Sequence, residues 1–385
     1  MSTYLQIDRP YWLAWAQISG VGAITIHRLH NHFGDLASAW YATPAELLEV
    51  DGLGNLSIER ICDARKLIEP EEFIGQHSEQ NPQFWTPADP AYPQLLLETA
   101  TAPPVLYYRG LVDKSENLGH QLTIGIVGTR DITSYGRKWT QKISVALAEL
   151  GYSIISGLAE GVDTEAHHGC LAVGGRTVAV VGTGLDVVYP ARNQALAERI
   201  WEEGLMVSEY PAGTRPDRGH FPARNRIIAG LSRAVLVMEA PQKSGALITA
   251  HLANEFCRDV YVLPGGLDNP QSIGCLGLLD RGAQLILSIE QLLTNLQALR
   301  PVEMPPAPLP VQQTILPLFL PQPVAPPLLA PHLAKILAVV ARSPISFDAI
   351  VTQTAIPSSE VSSGLLELEL ENLVTQLPGM QYQRI

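Results

Sequence analysis

The stretch from Leu122 to Asp163 limits what this chain can fold into more than any other. It opens with the apolar run Leu122-Thr123-Ile124-Gly125-Ile126-Val127 and breaks at Gly128-Thr129-Arg130. A helix-compatible stretch follows from Thr133. A second apolar run, Tyr152-Ser153-Ile154-Ile155, then ends in Ser156-Gly157-Leu158-Ala159-Glu160-Gly161-Val162-Asp163. Two short β-rich runs joined by a helix make a βαβ unit, and such a unit implies a parallel sheet. Both strands stop at glycine beside a hydroxyl residue, where backbone N–H groups can approach a ligand at a helix N-terminus. The first turn also carries an arginine, and amides beside a planar guanidinium suit a phosphate.

The pattern continues. Strands are predicted at 177–181, 205–207, 234–239, 260–263 and 284–287, and helices at 163–173, 193–203, 224–231, 245–257, 274–281 and 289–297. Strands alternating with helices at this spacing predict an α/β fold with a doubly wound, Rossmann-like, mostly parallel sheet. Its C-terminal edge would gather the unusual loops, where open α/β sheets bind ligands. Gly182-Thr183-Gly184-Leu185-Asp186, with Tyr189-Pro190 behind it, is a third such loop. The longest runs from Ser208 through Phe221-Pro222-Ala223-Arg224-Asn225-Arg226, whose two arginines and asparagine are expected to open a helix and add their charge to its dipole. Phe221 could stack a base or simply pack. Lys243-Ser244-Gly245 begins another hydroxyl–glycine helix start, and Pro264-Gly265-Gly266 is a further turn. Asp163 is expected to cap the helix that follows it.

No catalytic set emerges. The chain has no G-x-S-x-G elbow, no serine–histidine pair, no His/Cys/Asp metal cluster, no G-x-G-x-x-G fingerprint and no P-loop. His167 and His168 lack a partner acid or cysteine cluster. Glu209 and Glu239 stand at strand ends, where helix capping and arginine pairing account for them as well as acid–base work does. No cofactor or metal is expected.

Residues 1–80 read as a helical domain with two similar turns, Ile18-Ser19-Gly20-Val21-Gly22 and Val50-Asp51-Gly52-Leu53-Gly54, lying 32 positions apart. This is the hairpin of a helix-hairpin-helix repeat. Such glycines sometimes turn amides toward DNA phosphates, but with eleven acids against five bases here, tight interhelical turns are the plainer reading. From 81 to 110 an extended, proline-rich arm leads onto the sheet edge, so 81–300 forms one arm-plus-sheet domain. Eleven prolines in 301–331 predict an extended linker. In 332–385 three amphipathic helices and a hairpin suggest a winged helix. Its third helix carries Glu360, Glu367, Glu369 and Glu371 and no base, a poor surface for DNA.

A net charge of −12 argues against nucleic acid only until it is mapped. Residues 1–119 hold seven bases against fifteen acids, whereas 120–300 hold sixteen against seventeen. Within 214–243 six bases, Arg215, Arg218, Arg224, Arg226, Arg233 and Lys243, face only Asp217 and Glu239. That is a local cationic loop. Cys62, Cys170, Cys257 and Cys275 are scattered, as in a reducing compartment. The polar start and the lack of a span-length apolar run suggest a cytoplasmic protein without a membrane anchor.

In their order, these loops resemble the DNA-processing protein A (DprA/Smf) family over roughly residues 85–295. The resemblance rests on Gly128-Thr129-Arg130, Ser156 to Asp163, Gly182 to Asp186 with Tyr189-Pro190, Phe221 to Ser232 and Ser244 to Thr249. It implies a non-enzymatic protein that binds incoming single-stranded DNA in natural transformation, shields it and helps load RecA recombinase. It also implies a homodimer. Carried over, Gly128, Thr129, Arg130, Ser156, Gly157, Arg224, Asn225 and Arg226 would line the phosphate pocket, and the reading of the loops adds Phe221, Lys243, Ser244 and Gly245 as DNA-binding candidates. Thr129 replaces the family's usual serine and keeps the hydroxyl. Leu276 stands where the family often has asparagine and loses a polar group. The alternative is an enzyme like the nucleoside-monophosphate phosphoribohydrolases, which share a Pro-Gly-Gly turn. Here that turn is followed by Leu267-Asp268, without the threonine and glutamate such chemistry needs.

Overall fold

A computed structural model describes residues 2–299, 330–341, 345–370, 373–377 and 380–384. It divides the chain into two compact units, Met1–Pro305 and Pro306–Ile385. The first opens with six helices: α1 (Ser2–Ala16), α2 (Ala23–Phe33), α3 (Leu36–Tyr41), α4 (Pro44–Leu48), α5 (Asn55–Arg65) and α6 (Pro70–Gln80). The two glycine turns join α1 to α2 and α4 to α5, and Gly20 and Gly52 share the same left-handed φ of 84°. A side chain there would be strained, which explains the recurrence of glycine at a fixed offset. The turns are cross-braced, Arg60 of α5 lying against Gly20 and Arg28 of α2 against Gly52.

The chain then enters a nine-stranded sheet. Its elements are β1 (Phe84–Trp85), α7 (Gln94–Leu97), β2 (Leu106–Gly110), α8 (Lys114–Asn117), β3 (Thr123–Val127), α9 (Ser134–Glu149), β4 (Ser153–Ser156) and α10 (Val162–Ala172). There follow β5 (Thr177–Val180), α11 (Gln194–Glu203), β6 (Leu205–Ser208), α12 (His220–Leu231), β7 (Ala234–Val237) and α13 (Gly245–Glu255). The last are β8 (Asp259–Val262), α14 (Ile273–Leu279), β9 (Gln284–Leu285) and α15 (Ile289–Gln297). The order across the sheet is β1-β2-β6-β5-β4-β3-β7-β8-β9. Strands β3 to β9 pair in parallel, and β1 and β2 close one edge in antiparallel register.

Alternate residues of the parallel strands β3 to β8 feed opposite cores. Ile124, Ile154, Leu236 and Tyr261 pack with Ile143 and Leu147 of α9. Ile155, Val178, Val207, Val235 and Val260 pack with Ile227 and Ile228 of α12 and Ala250 of α13. Burial on both faces is why these strands read as continuous apolar runs. The antiparallel edge is covered by the helical region: Leu13 of α1 and Phe73 and Ile74 of α6 pack on Phe84, Val105 and Tyr107. Arg9 fixes the junction, donating to the Phe84 carbonyl at 2.8 Å and pairing with Asp89. A covered edge offers no open ladder to another chain.

The second unit contains α16 (Pro331–Val339), β10 (Ile345–Ser346), α17 (Phe347–Thr354), α18 (Ser358–Leu370), β11 (Val374–Leu377) and β12 (Gln381–Arg384). Its three strands form one antiparallel sheet, and Leu333, Ile336, Ile350, Val361, Leu365 and Tyr382 make its core. Glu360 and Glu367 of α18 are exposed. Glu371 and the proline-dense stretch, apart from Ala330 and Pro331, lie outside the described residues. Among the described residues no helix is long and apolar enough to cross a membrane.

Candidate nucleic-acid interface

The chain lays β3 to β6 outward in one direction, then returns to place β7 beside β3 and continues the other way. Connections leaving the carboxyl ends of β3 and β7 therefore diverge and leave a crevice between them, the position at which open α/β sheets bind ligands. A cleft of about 600 Å³ opens there. Val127 of β3 and the turn Gly128-Thr129-Arg130 after it form one wall, with Ala159 from the turn after β4 and Asp163 from the first turn of α10. Tyr189, Arg218, Phe221, Pro222, Arg224, Asn225 and Ile228 come from the loop after β5 and from the approach to and body of α12. Pro241, Ser244, Gly245, Ala246 and Thr249 come from the turn after β7 and the start of α13. A side lobe of about 180 Å³ adds Gly157, Glu160 and Pro190.

The charge at its centre is Arg224, which is only 4% exposed. Its Nε and Nη1 have no hydrogen-bond partner, and no carboxylate lies within ion-pair distance of it among the described residues. The guanidinium lies where a side chain on residue 157 would sit, so Gly157 is what admits it. Burial pushes Arg224 down from 12.5 to about 10, opposed by Asp163 and reinforced by Arg130. Asp163 is buried as well, and burial raises its carboxyl above the usual range despite Arg224 nearby. It accepts the amides of Gly157 at 3.1 Å and Ala159 at 3.3 Å, so it holds the turn that faces Arg224. A buried cation with unused donors favours an anion that can take them. The Thr249 hydroxyl, also buried and unpartnered, lines the same cleft.

The rim is aromatic and cationic. Arg130 is exposed and sits 5.4 Å from the Phe221 ring centre, within cation–π range. Tyr189 lies 5.4 Å from the same ring. An exposed tyrosine ring and a half-buried phenylalanine ring beside three arginines can hold both parts of a nucleotide, the phosphate by charge and the base by stacking.

Several sequence expectations need correction. Arg224, Asn225 and Arg226 do not open a helix, because α12 begins at His220 with Gly219 as its N-cap. Pro222 lies in the first turn, where a missing N–H costs nothing, and the arginines follow in the second. Asp163 is not a cap, since Gly161 occupies that position and the carboxylate reaches back into the preceding turn. Ser156 is fully buried and its hydroxyl donates to the Ile126 carbonyl at 2.6 Å. Thr129 is 6% exposed and its hydroxyl accepts the Asp131 amide at 3.2 Å. Both hydroxyls shape their turns.

Gly128, Thr129, Arg130, Phe221, Arg224, Asn225, Ser244 and Gly245 all line the cleft, and Gly157 lines its side lobe. Asn225 ties α12 to α13 by donating to the Gly245 carbonyl at 3.2 Å. Arg226 lies elsewhere, paired with Glu209 at 2.5 Å and lining another groove. Lys243 is exposed beside the cleft and is not part of its wall. Sequence reasoning missed Tyr189, Arg218 and Thr249 as cleft residues, although each belongs to a loop it had marked. Of the acids at strand ends, Glu209 pairs with Arg226 and Glu239 is structural. Glu239 takes the Thr133 amide at 2.9 Å and hydroxyl at 2.6 Å, fixing the start of α9.

Known proteins share this architecture. Residues 83–297 match DNA recombination-mediator protein A, and residues 320–380 match the DprA winged helix domain. The chain belongs to the DNA recombination-mediator protein A family. It is 51% identical to Protein Smf of Synechocystis over 98% of this chain and 99% of that one. It is 44% identical to DNA processing protein DprA of Streptococcus pneumoniae over 54% of this chain and 72% of the relative. The X-ray structure of that pneumococcal protein superposes with a TM-score of 0.65 at 35% identity, covering 74% of this chain and 97% of the other. DNA processing protein A of Helicobacter pylori, described for its single-stranded DNA binding mode, superposes at 0.51 with 32% identity over 56% of this chain and 96% of the other. The second unit is accordingly a winged helix of the DprA type. The phosphoribohydrolase alternative is not favoured. The Pro264–Gly266 turn is closed by the Ser272 side chain against Gly265, and none of its residues lines the cleft.

Proposed function

We propose that this protein binds single-stranded DNA in the cleft at the β3–β7 crevice, shields it, and passes it to a RecA recombinase during uptake of DNA. The observation that carries the reading is the buried Arg224 with two unused donor nitrogens beneath a rim of Arg130, Phe221 and Tyr189. That combination serves a phosphate and a base together, and a flexible strand can present both where a duplex cannot. The single-strand binding described for the Helicobacter pylori relative supports the ligand, and the recombination-mediator description of the family supports the transfer to RecA. Action as a homodimer in the cytoplasm belongs to the same proposal.

The test is fluorescence anisotropy with labelled oligo-dT and a matching duplex at several salt concentrations. The single strand should bind more tightly. Arg130→Ala, at an exposed position, should leave melting unchanged, weaken binding and flatten the salt slope by about 0.7 for one lost phosphate contact. Arg130→Lys should recover part of the loss, because a point charge does not replace a planar fork. Unchanged affinity and slope in a folded Arg130→Ala protein would refute the site. RecA filament assembly on a strand already bound by the protein, compared with bare strand, tests the transfer.

A further inference from the structure

His220 and Phe221 are neighbours in the first turn of α12. Phe221 belongs to the cleft with Tyr189, whereas the His220 ring stacks on Tyr210, with centroids 4.0 Å apart and planes 21° from parallel. Tyr210 in turn walls a second groove of about 320 Å³, whose other sides include Gln17 and Gly22 of the first hairpin, Pro104, Glu209 and Arg226. A ridge of two adjacent ring pairs thus separates the cleft from this second groove.

Two further observations bear on the groove. Arg226 Nη2 bonds Glu209 Oε2 at 2.5 Å, the Glu209 carboxylate also faces the Tyr210 side chain, and Arg226 Nη1 is left without a hydrogen-bond partner. An arginine–glutamate pair that lines a groove next to an aromatic ring suits the edge of a nucleobase, which presents adjacent acceptors and donors. The loop leading from Tyr210 into α12 carries Arg215 and Arg218, both exposed and with no ion pair among the described residues. Asp217 between them is turned into the loop, accepting the Gly219 amide at 2.7 Å.

We propose that a strand held in the cleft continues over the Pro211–Gly219 loop, its phosphates met by Arg218 and Arg215, and sets a nucleobase into the second groove against Tyr210, facing Glu209 and Arg226. The proposal rests on the single-strand reading of the cleft and extends it. It also gives the acidic helical region a part in binding that its charge conceals. That region walls a base pocket through Gln17 and Gly22, and the arginines of the neighbouring loop neutralise the backbone.

Oligo-dT and mixed-sequence probes of about six and about twelve nucleotides, within the range of single-strand site sizes, separate the two parts. On the full-length protein the longer probe should bind roughly tenfold more tightly, the value of about one stacked base. Tyr210→Leu should abolish that gain and leave the short probe unaffected, while Tyr210→Phe should retain it. A 2-aminopurine placed near the end of the long probe should be quenched by the wild type and by Tyr210→Phe, but not by Tyr210→Leu. Arg215→Ala, at an exposed position with no partner to lose, should weaken only the long probe, and it carries the test if Tyr210→Leu fails to fold. A missing length gain, or a gain that survives both Tyr210→Leu and Arg215→Ala, overturns the second groove while the cleft stands. Failure of the short probe to bind at all overturns the cleft, and the extended path with it.

Discussion

Replacing Arg224 by methionine and Asp163 by asparagine together separates what the buried guanidinium does for binding from what it costs the fold. Burial holds Arg224 at about 10 instead of 12.5. At about 1.4 kcal/mol per pH unit, keeping it charged in the folded state costs about 3 kcal/mol near neutrality. The sign follows from the direction. A cation whose folded value is depressed destabilises the fold at every pH below that value, and the penalty fades only as pH rises through about 10. Methionine alone would remove the cation but leave Asp163 as a buried carboxylate with no compensating charge, which is why the asparagine is needed. The introduced asparagine can still accept an amide of the turn through its side-chain carbonyl. The double variant should therefore melt no lower than the wild type. Its single-strand affinity should fall about 10- to 150-fold, the value of a charge-assisted hydrogen bond of about 1.5–3 kcal/mol. The salt slope should flatten by about 0.7. Anisotropy against oligo-dT at several salt concentrations, with thermal melts of the same samples, measures both. A variant that melts well below the wild type yet binds normally would show that Arg224 braces the sheet edge and does not meet DNA.

Two other outcomes follow from buried and exposed groups. His167 is fully buried, hydrogen-bonded to Thr177 at 2.7 Å, and held by burial at about 3 against 6.5 in a free histidine. The unfolded chain therefore takes up a proton that the folded one refuses. Stability present at pH 7 should fall by about 2 kcal/mol by pH 5, and His167→Gln should flatten that difference in urea titrations. An equal loss in both proteins would assign the acid sensitivity to other groups. In the winged helix, Glu360→Lys with Glu367→Lys, both at exposed positions of α18, should leave single-strand affinity unchanged or slightly raised in the same anisotropy assay. A marked fall would mean that this helix contacts the strand.

The apolar runs bounded by glycine were enough to place the strands of the parallel sheet, because a strand buried on both faces has little room for polar residues. The paired turns near Gly20 and Gly52 were legible for a similar reason: a left-handed backbone position selects glycine wherever it recurs. The family could be read from the order of loops around Gly128, Gly157, Phe221 and Ser244. What each polar group in those loops does could not. Thr129 and Ser156 look like ligand hydroxyls in the sequence, but in the fold the first accepts a neighbouring amide and the second donates to a carbonyl of the adjacent strand β3. Arg224 and Arg226 are chemically alike and two residues apart. Two positions on a helix turn about 200°, so once α12 starts at His220 and packs on the sheet, one arginine faces the cleft and the other faces Glu209. Sequence determined that the charges and turns would gather at the C-terminal edge of the sheet. Only the packing of α12, and the bare backbone of Gly157 opposite it, decided which charge is left without a partner and so free for a ligand.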